Sequence, residues 1–405
     1  MSMLKQLRAF YAFVALRWLR LSGALWILYL LHVGWSLWQV GVAEGVFHAV
    51  SFATQIPTGL FADRVGRCRS LQLGLLFGVL SPPLEYLLAP HGLVAGSAAM
   101  GLGSLGWSFI GGADQALLHD LSRRLPGGPN LFARLYGRMD AIALLSGALA
   151  APVGGYLAVA CGWAFPFFGQ ALLTAGAFVP VLMLPGATRR FPGPADDGVP
   201  PVGPPPGLRA AWSVLRGRPG LFPLVLFGAM LGIVATSNHL YGQSTLTAKG
   251  ASILAATSVI GLSSLFAAGA SAGAHLLAGR RRGSLMRVGA IAFGLLIAAL
   301  GSARGLAAPL AYTAADSVEG GVDVLYVTEL NHVVPENLRA TLASAPDFLF
   351  SLGMIVLFPL EGWAMGRVGL ATVYAGLGFL LALFTLFLWR VRAIAPAADP
   401  WQRPD

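Results

Sequence analysis

The sequence GLFADRVGRCR, residues 59–69, decides the fold because it places charges between two long apolar runs. The runs at 41–62 and 70–89 are each close to the roughly 20 residues that a helix needs to cross a bilayer. Residues 63–69 between them hold one aspartate, three arginines and one glycine, which permits a tight turn. It therefore predicts a short charged loop that joins two membrane-spanning helices.

The composition of the whole chain agrees with a membrane protein. Of its 405 residues, 56% are hydrophobic and 11% are charged, and the mean hydropathy is +0.71, whereas a soluble domain carries about 25% charged residues. A soluble fold of this size has no core for so many apolar side chains, which excludes soluble enzymes and nucleic-acid binders. Cys68 and Cys161 are predicted on opposite sides of the membrane and indicate neither a disulfide nor a metal site.

Twelve stretches are long and apolar enough to cross a bilayer, and we number them as spans one to twelve. They are 11–33, 41–62, 70–89, 93–118, 132–157, 163–184, 220–242, 251–276, 284–303, 305–330, 340–363 and 370–390. With the N-terminus inside, 24 of the 27 lysines and arginines lie at the inner face, and the other 3 are Lys249, Arg304 and Arg367. Both termini are therefore predicted to be cytoplasmic.

The charge and proline distribution divides the chain into four parts. Residues 1–184 are predicted to form an N-terminal six-helix half, and residues 220–392 a C-terminal six-helix half. Residues 185–219 are rich in proline and predict a cytoplasmic linker, in which an interfacial helix is expected at 208–216. Residues 393–405 are predicted to form a cytoplasmic tail.

An internal repeat relates the two halves. The sequence GGAD at 111–114 recurs as GGVD at 320–323, an offset of 209, and Asp120 recurs as Glu329 at the same offset. Asp140 and Pro152 recur as Asp347 and Pro359 at an offset of 207. Two parallel six-helix halves are typical of one large group of secondary transporters, which hold the substrate between the halves near mid-membrane.

The loop at 59–69 resembles the signature of the major facilitator superfamily, Gly-x-x-x-Asp-Arg-x-Gly-Arg-Arg between helices two and three. Twelve spans and a central linker fit this resemblance along the whole chain. It implies an all-α integral membrane fold of two pseudo-symmetric six-helix halves and transport by alternating access. Gating is assigned to Gly59, Asp63, Arg64, Gly66 and Arg67; alternatively, the arginines only anchor the topology.

Span five also carries a family-like motif. Its Gly147-x-x-x-Ala151-Pro152-x-x-Gly155 resembles the motif of the bacterial drug:proton antiporter branch. The alternative is a packing face with a proline kink. That branch usually has an arginine inside helix four, and span four has none before Arg123.

Span ten is the richest in ionisable residues. Asp316, Glu319 and Asp323 lie at i, i+3 and i+7, and Tyr312 and Tyr326 extend the same helix face. A charge at this depth costs at least about 2.5–3.5 kcal/mol, so the face is expected to meet a cavity or a partner rather than lipid. Three close carboxylates repel one another, so we expect at least one to hold a proton, with Asp316 and Glu319 as the carriers.

Span four carries the residues that correspond, in the internal repeat, to those of span ten. Trp107 corresponds to Asp316 and is expected to contact a lipophilic cation through its ring. For Asp114 and Asp323, a gate and a transport site are both open. Gating or structural ion pairs are expected at the inner ends between the acids Asp120 and Glu329 and the arginines Arg64, Arg67, Arg138 and Arg339.

Other polar residues in the spans are assigned with alternatives. His48 in span two can titrate or form an interhelical hydrogen bond, and Glu44 is expected to be wet near the outer surface. Asn238 is expected in a polar lining of span seven. Arg17 and Arg20 are expected either to snorkel to the inner headgroups or to pair with an acid of the cavity. Snorkelling is favoured for Arg17, whereas Arg20 is the expected partner of a span-ten acid if one is permanently paired.

These observations predict a proton-coupled exporter of small amphipathic compounds, including lipophilic cations, in the bacterial inner membrane. The alternative is a proton-coupled importer or facilitator of a polar metabolite, and a receptor without transport ranks last because the loops are short. The expected partners are substrate, protons and the lipid bilayer, with no nucleic acid, and the chain is expected to act as a monomer. No motif for an enzyme, a cofactor or a metal is found, and a phosphate-binding loop is absent from the sequence.

Overall fold

The computed structural model describes residues 3–125, 131–184, 221–277, 282–334 and 339–394. Within these ranges the regular elements are helices, without a strand. The predicted linker at 185–219 with its interfacial helix, and the tail beyond residue 394, lie outside the described residues. The boundaries of the four predicted parts therefore stay predictions.

The helices follow the predicted order of spans. In chain order they are Met3–Trp18 and Trp26–His32 (span one), Leu37–Val65 (two), Arg67–Leu88 (three), Leu93–Ile110 and Ala113–Arg123 (four), Leu131–Cys161 (five), Ala164–Gly176 and Phe178–Leu182 (six), Leu221–Ala248 (seven), Ile253–Leu277 (eight), Arg282–Ser302 (nine), Ala307–Val333 (ten), Arg339–Val368 (eleven) and Leu370–Ile394 (twelve).

The lengths and composition of these helices confirm an all-α membrane fold. In the described part of the chain, nine helices are long and apolar enough to cross a bilayer. The remaining spans are one, two and ten: span one is divided into two helices, and spans two and ten carry the polar residues singled out above. Two of the spans outside the nine, spans two and ten, thus carry predicted proton-binding residues.

Spans one and four are interrupted, which the sequence did not lead us to expect. In span four the break lies at Gly111 and Gly112, and Gly112 has a φ of +79°, in the left-handed region that favours glycine. The next helix starts at Ala113, so Asp114 lies in its first turn. In span one, Ser22 lies within the break and donates through its backbone N and its Oγ to Oε1 of Gln170 in span six, at 3.0 and 2.8 Å.

The two halves pack against each other at the outer ends of spans two and eleven. A Cβ placed on Gly41 of span two would lie 2.6 Å from the carbonyl oxygen of Phe358 in span eleven. A Cβ on Gly362 of span eleven would meet the carbonyl of Leu37 at the start of span two. Since neither position has room for a side chain, the helices touch backbone to backbone here. We call this contact the outer seam.

Spans five and eight form a second contact between the outer parts of the halves. Gly155 of span five packs on Thr257, and Pro152 packs on Gly261 of span eight, so the span-five motif forms a packing face here. Nearer the inner face, a Cβ on Gly59 or Gly269 would meet no atom within 4 Å. Gly59 thus makes no close backbone contact in this state.

Candidate functional site

A cavity of about 380 Å³ lies within the N-terminal half and reaches spans seven and eleven. Its wall combines charged and aromatic side chains, which include Arg17, Arg20, Glu85, Trp107 and His48. Of the residues predicted to bind substrate or protons, Trp107 and His48 belong to this wall. The cavity can therefore hold a small molecule that has both charged and apolar parts.

The ion pair of Arg17 and Asp114 joins span one to the second helix of span four. Nη1 of Arg17 lies 2.9 Å from Oδ2 of Asp114, and both side chains are only 11% exposed. The prediction that Arg17 snorkels to the headgroups is wrong, because a buried aspartate 97 residues away in sequence holds its guanidinium. Removing one partner of such a pair leaves an uncompensated buried charge. In this state Asp114 is thus held by a protein cation.

Trp107 is covered by cations of the protein itself. The guanidinium carbons of Arg17 and Arg20 lie 5.1 and 5.9 Å from its ring centroid, and the ring of Trp18 meets it edge-on at 5.7 Å. These distances are typical of cation–π contacts. The contact that was predicted between Trp107 and a substrate cation is therefore made with the two arginines in this state.

Arg20 lies among acids that differ from the predicted partners. It interacts electrostatically with Glu85 of span three and Glu44 of span two, and not with a span-ten acid among its resolved interactions. Glu85 accepts a hydrogen bond of 2.7 Å from Oγ of Ser81. We did not single out Glu85 from the sequence, although one glutamate inside an apolar span is a signal that could have found it.

His48 and Glu44 form a pair one helical turn apart in span two. Nε2 of His48 lies 3.5 Å from Oε1 of Glu44. Glu44 is 8% exposed, so the expectation of a wet side chain is wrong. The ring of His48 also packs edge-on against Phe350 of span eleven, at 5.4 Å between centroids. His48 therefore contacts both halves of the molecule.

The acids of span ten lie in the C-terminal half and do not contribute to the wall of the cavity described above. Asp316 interacts with His239 of span seven and with the hydroxyl of Ser263 in span eight. The charged groups that act on Glu319 within the described part of the chain are its neighbours Asp316 and Asp323. Asp316 thus has a histidine and a hydroxyl beside it, whereas the charged groups beside Glu319 are carboxylates.

The remaining polar residues predicted in the C-terminal half lie in protein contacts. Tyr312 is fully buried, and its ring fills the space beside Gly242. Asn238 is 2% exposed and is not part of the cavity wall. Asp323 is exposed toward the inner side and interacts with Asp347 of span eleven. Asn238 thus faces other helices in this state, whereas Thr236 of the same span lies in the cavity wall.

Arg67 of the predicted gating loop binds residues of its own half. Nη1 of Arg67 donates to the carbonyl oxygen of Ala116 at 2.6 Å and forms an ion pair with Asp120, both in span four. The ion pair that the sequence predicted between Arg67 and Asp120 is therefore present in this state, and both partners lie in the N-terminal half. Gly66, with φ at +117°, separates spans two and three, which requires a residue without a side chain.

The other predicted gating residues differ in what the structure shows of them. Asp63 and Arg64 are exposed at the end of span two. Arg138 of span five interacts electrostatically with Tyr11 of span one. Glu329 lies partly exposed near the inner end of span ten, and Arg339 begins span eleven, with its side chain outside the described residues.

The sequence model of the Major Facilitator Superfamily matches residues 9–356 of the chain. The chain belongs to this superfamily. It is a multi-pass membrane transporter with a small-molecule substrate, and it is not an enzyme. The superfamily resemblance of the loop at 59–69 is thereby confirmed.

Solved structures of superfamily members show the same fold over nearly the whole chain. The nucleoside transporter NupG superposes with a TM-score of 0.74 at 13% identity, over 97% of this chain and 99% of that chain. The xylose transporter XylE from E. coli gives a TM-score of 0.71 at 13% identity, over 96% of this chain and 99% of that chain. Identities this low show the fold alone.

The sequence relatives match a much smaller part of this chain than the solved structures do. The uncharacterized MFS-type transporter YxaM of Bacillus subtilis (strain 168) is 34% identical over 74 residues, which is 18% of this chain and 18% of that protein. An uncharacterized transporter of Buchnera aphidicola subsp. Schizaphis graminum (strain Sg) is 34% identical over 92 residues, 22% of each. This chain thus matches about a fifth of the length of these relatives, and its predicted place in the drug:proton antiporter branch stays a prediction.

Proposed function

We propose that this transporter exchanges protons for small amphipathic compounds, including lipophilic cations, and exports them by alternating access across the bacterial inner membrane. It acts as a monomer in this proposal. The observation that carries it is the acid stripe of span ten, in which Glu319 is surrounded by like charges.

The surroundings of Glu319 favour a site that exchanges its counter-ion. An ionised carboxylate inside a transmembrane segment costs several kcal/mol unless a positive group compensates it. Asp316 and Asp323 add repulsion instead of compensation. A proton or a cationic substrate can neutralise Glu319, but not both at once. This competition is sufficient for antiport.

Asp316 connects the acid stripe of span ten with span seven of the same half. It interacts with His239, whose imidazole can gain or lose a proton near neutral pH in water. Two titratable groups on spans seven and ten can therefore hand a proton between them as the helices move. We assign Asp316 and Glu319 as the proton carriers and Asp323 as the acid nearest the inner end of span ten.

The lining of the cavity favours amphipathic compounds over sugars and similar polar metabolites. Two amide side chains of span seven that could hydrogen-bond a polar metabolite are buried in helix contacts, since Asn238 is 2% and Gln243 is 1% exposed. Gln243 instead donates to the carbonyl oxygen of Gly23, at 3.3 Å. The amide oxygen of Gln170 in the cavity wall already accepts hydrogen bonds from Ser22. The rings of Trp18, Trp107 and Phe47 are available to an apolar part of the substrate.

Transport in proteoliposomes with an imposed pH gradient tests this proposal, with a fluorescent lipophilic cation as the probe. We expect Asp316→Asn and Glu319→Gln to lose gradient-driven transport and to keep exchange of the probe at equal pH on both sides. The exchange assay is the internal control, because a misfolded variant loses both activities. If both variants keep full gradient-driven transport, the proposal is wrong.

A further inference from the structure

Glu361 of span eleven is a buried acid that the proposed transport cycle does not use. It is 7% exposed, and its Oε2 accepts a hydrogen bond of 2.6 Å from Oγ of Ser237 in span seven. Its other oxygen, Oε1, is buried without a hydrogen-bond partner among the described residues. Buried carboxylate oxygens are almost always hydrogen-bonded, so an orphan oxygen here points to a missing ligand.

The charged surroundings of Glu361 supply no counter-ion. Tyr241 of span seven and Tyr374 of span twelve are the titratable groups beside it, and Glu44 of span two acts on Tyr241 from the facing half. In the part of the chain that the structure describes, no lysine, arginine or histidine acts on Glu361. A carboxylate that is buried and unpaired is stable only when a proton or another cation neutralises it.

Glu361 lies directly behind the outer seam. The next residue, Gly362, packs on the backbone of Leu37, and Phe358 one turn earlier packs on Gly41. The ring of Tyr241 stacks on Phe358 with centroids 4.5 Å apart, and this tyrosine donates to the Phe358 carbonyl oxygen at 3.4 Å. The same helical turn therefore closes the outer face and buries the acid.

We propose that Glu361 is a second proton-binding site, separate from span ten, which receives its proton from the outer side and keeps the outer seam closed while protonated. Opening the seam separates Gly362 from Leu37 and admits outer water to the carboxyl group. Loss of the proton then charges Glu361 and opposes its reburial. Protonation removes the charge and allows the seam to close. This cycle is independent of the substrate and of the direction of transport.

Labelling of a thiol in the seam tests this proposal. Val40 is fully buried beside Gly41, and Val40→Cys in a chain that lacks Cys68 and Cys161 gives a thiol that a bulky maleimide reaches only when the seam opens. Native Cys161 is exposed and serves, in a second chain, as the reference for the pH dependence of the reagent. Relative to this reference, we expect labelling of the thiol at position 40 to rise about tenfold from mildly acidic to mildly alkaline pH. A tenfold change corresponds to a difference of one pKa unit for Glu361 between the closed and the open seam.

Three variants decide between the possible outcomes. Glu361→Gln keeps the size of the side chain without the charge, and we expect slow labelling at every pH; Glu361→Asp keeps a titratable acid and should retain the pH dependence. Glu319→Gln should also retain it, which separates this proposal from the one on span ten. A flat profile in the parent chain, or an unchanged profile in Glu361→Gln, contradicts the proposal. Labelling that follows sodium concentration at constant pH also overturns it, because the ligand would then be a metal cation.

Discussion

The two copies of the repeated Gly-Gly-x-Asp sequence fold differently. In the N-terminal half, Gly112 takes a left-handed conformation and the helix breaks before Asp114. In the C-terminal half, Gly320 and Gly321 continue the helix of span ten without a break, and Gly320 lies close to the backbone of Ala267 in span eight. Similar sequences thus produce a helix start in one half and a packing contact in the other.

The acids of the two copies differ in their counter-ions. Asp114 interacts with Asp140 and is held by the ion pair with Arg17, whereas Asp323 interacts with Asp347 and lies exposed. Within the described residues, the repeat therefore reproduces a pair of acids but not the arginine that neutralises it. The comparison teaches that Asp114 joins two helices through its ion pair with Arg17, whereas Asp323 has no such partner among the described residues, which fits the proposed role of the span-ten acids.

The largest expected effect comes from breaking the pair in the N-terminal half. Asp114→Asn leaves the guanidinium of Arg17 buried without its partner, and we expect the free energy of unfolding to fall by about 3–5 kcal/mol. Asp323→Asn is the matched control and should change the stability little, because Asp323 is exposed and no cation of the described ranges acts on it. Thermal unfolding of the purified proteins in detergent measures both. Equal destabilisation by the two substitutions would show that the halves do not differ in this way.

Substitution of Gly112 and of Gly321 should change the free energy of unfolding less, and in opposite directions. Gly112→Ala forces a side chain into the left-handed region and should destabilise the protein by about 1–2 kcal/mol. Gly321→Ala should stabilise it by up to about 1 kcal/mol, since alanine favours a helix interior and the nearest atom to a Cβ there is 3.9 Å away. The same unfolding assay compares them. A loss of stability in Gly321→Ala would mean that span ten also needs a flexible point at this glycine.

The smallest expected effect on stability concerns the loop at 59–69. Arg67 and Asp120 are 27% and 17% exposed, so we expect a coupling energy of about 1 kcal/mol in a double-mutant cycle of Arg67→Ala and Asp120→Asn. Transport should suffer more than stability in Arg67→Ala, while binding of substrate stays the same, if the loop controls the conformational equilibrium. Binding lost in parallel with transport would argue against a gate.

The sequence was sufficient for the order of the helices and for the family, since both rest on local patterns. Runs of about 20 apolar residues, the bias of arginines and the loop at 59–69 need no knowledge of distant contacts. The paired glycines at 111 and 112 could have suggested a break in span four, because two glycines permit one. The repeated pair Gly320 and Gly321 lies in a continuous helix, so paired glycines alone do not require a break.

The partners of Arg17 and Arg20 were beyond the sequence. Arg17 pairs with Asp114, and Arg20 lies near Glu85 instead of a span-ten acid, because these partners lie on other helices that are distant in the sequence. The cavity wall could not be predicted either, since it depends on which half each polar side chain faces. Glu361 was missed because it lies alone near the outer end of span eleven rather than in a stripe of acids.

The contact between spans eight and ten has a consequence for how the chain enters the membrane. On insertion scales the three acids at 316, 319 and 323 each cost about 2.5–3.5 kcal/mol, so span ten partitions poorly from the translocon into lipid by itself. Span eight is synthesised earlier, and Oγ of Ser271 donates to the carbonyl oxygen of Gly320 at 2.8 Å. Earlier helices thus offer span ten a protein surface to enter against, and a chain without span eight should leave span ten outside the bilayer.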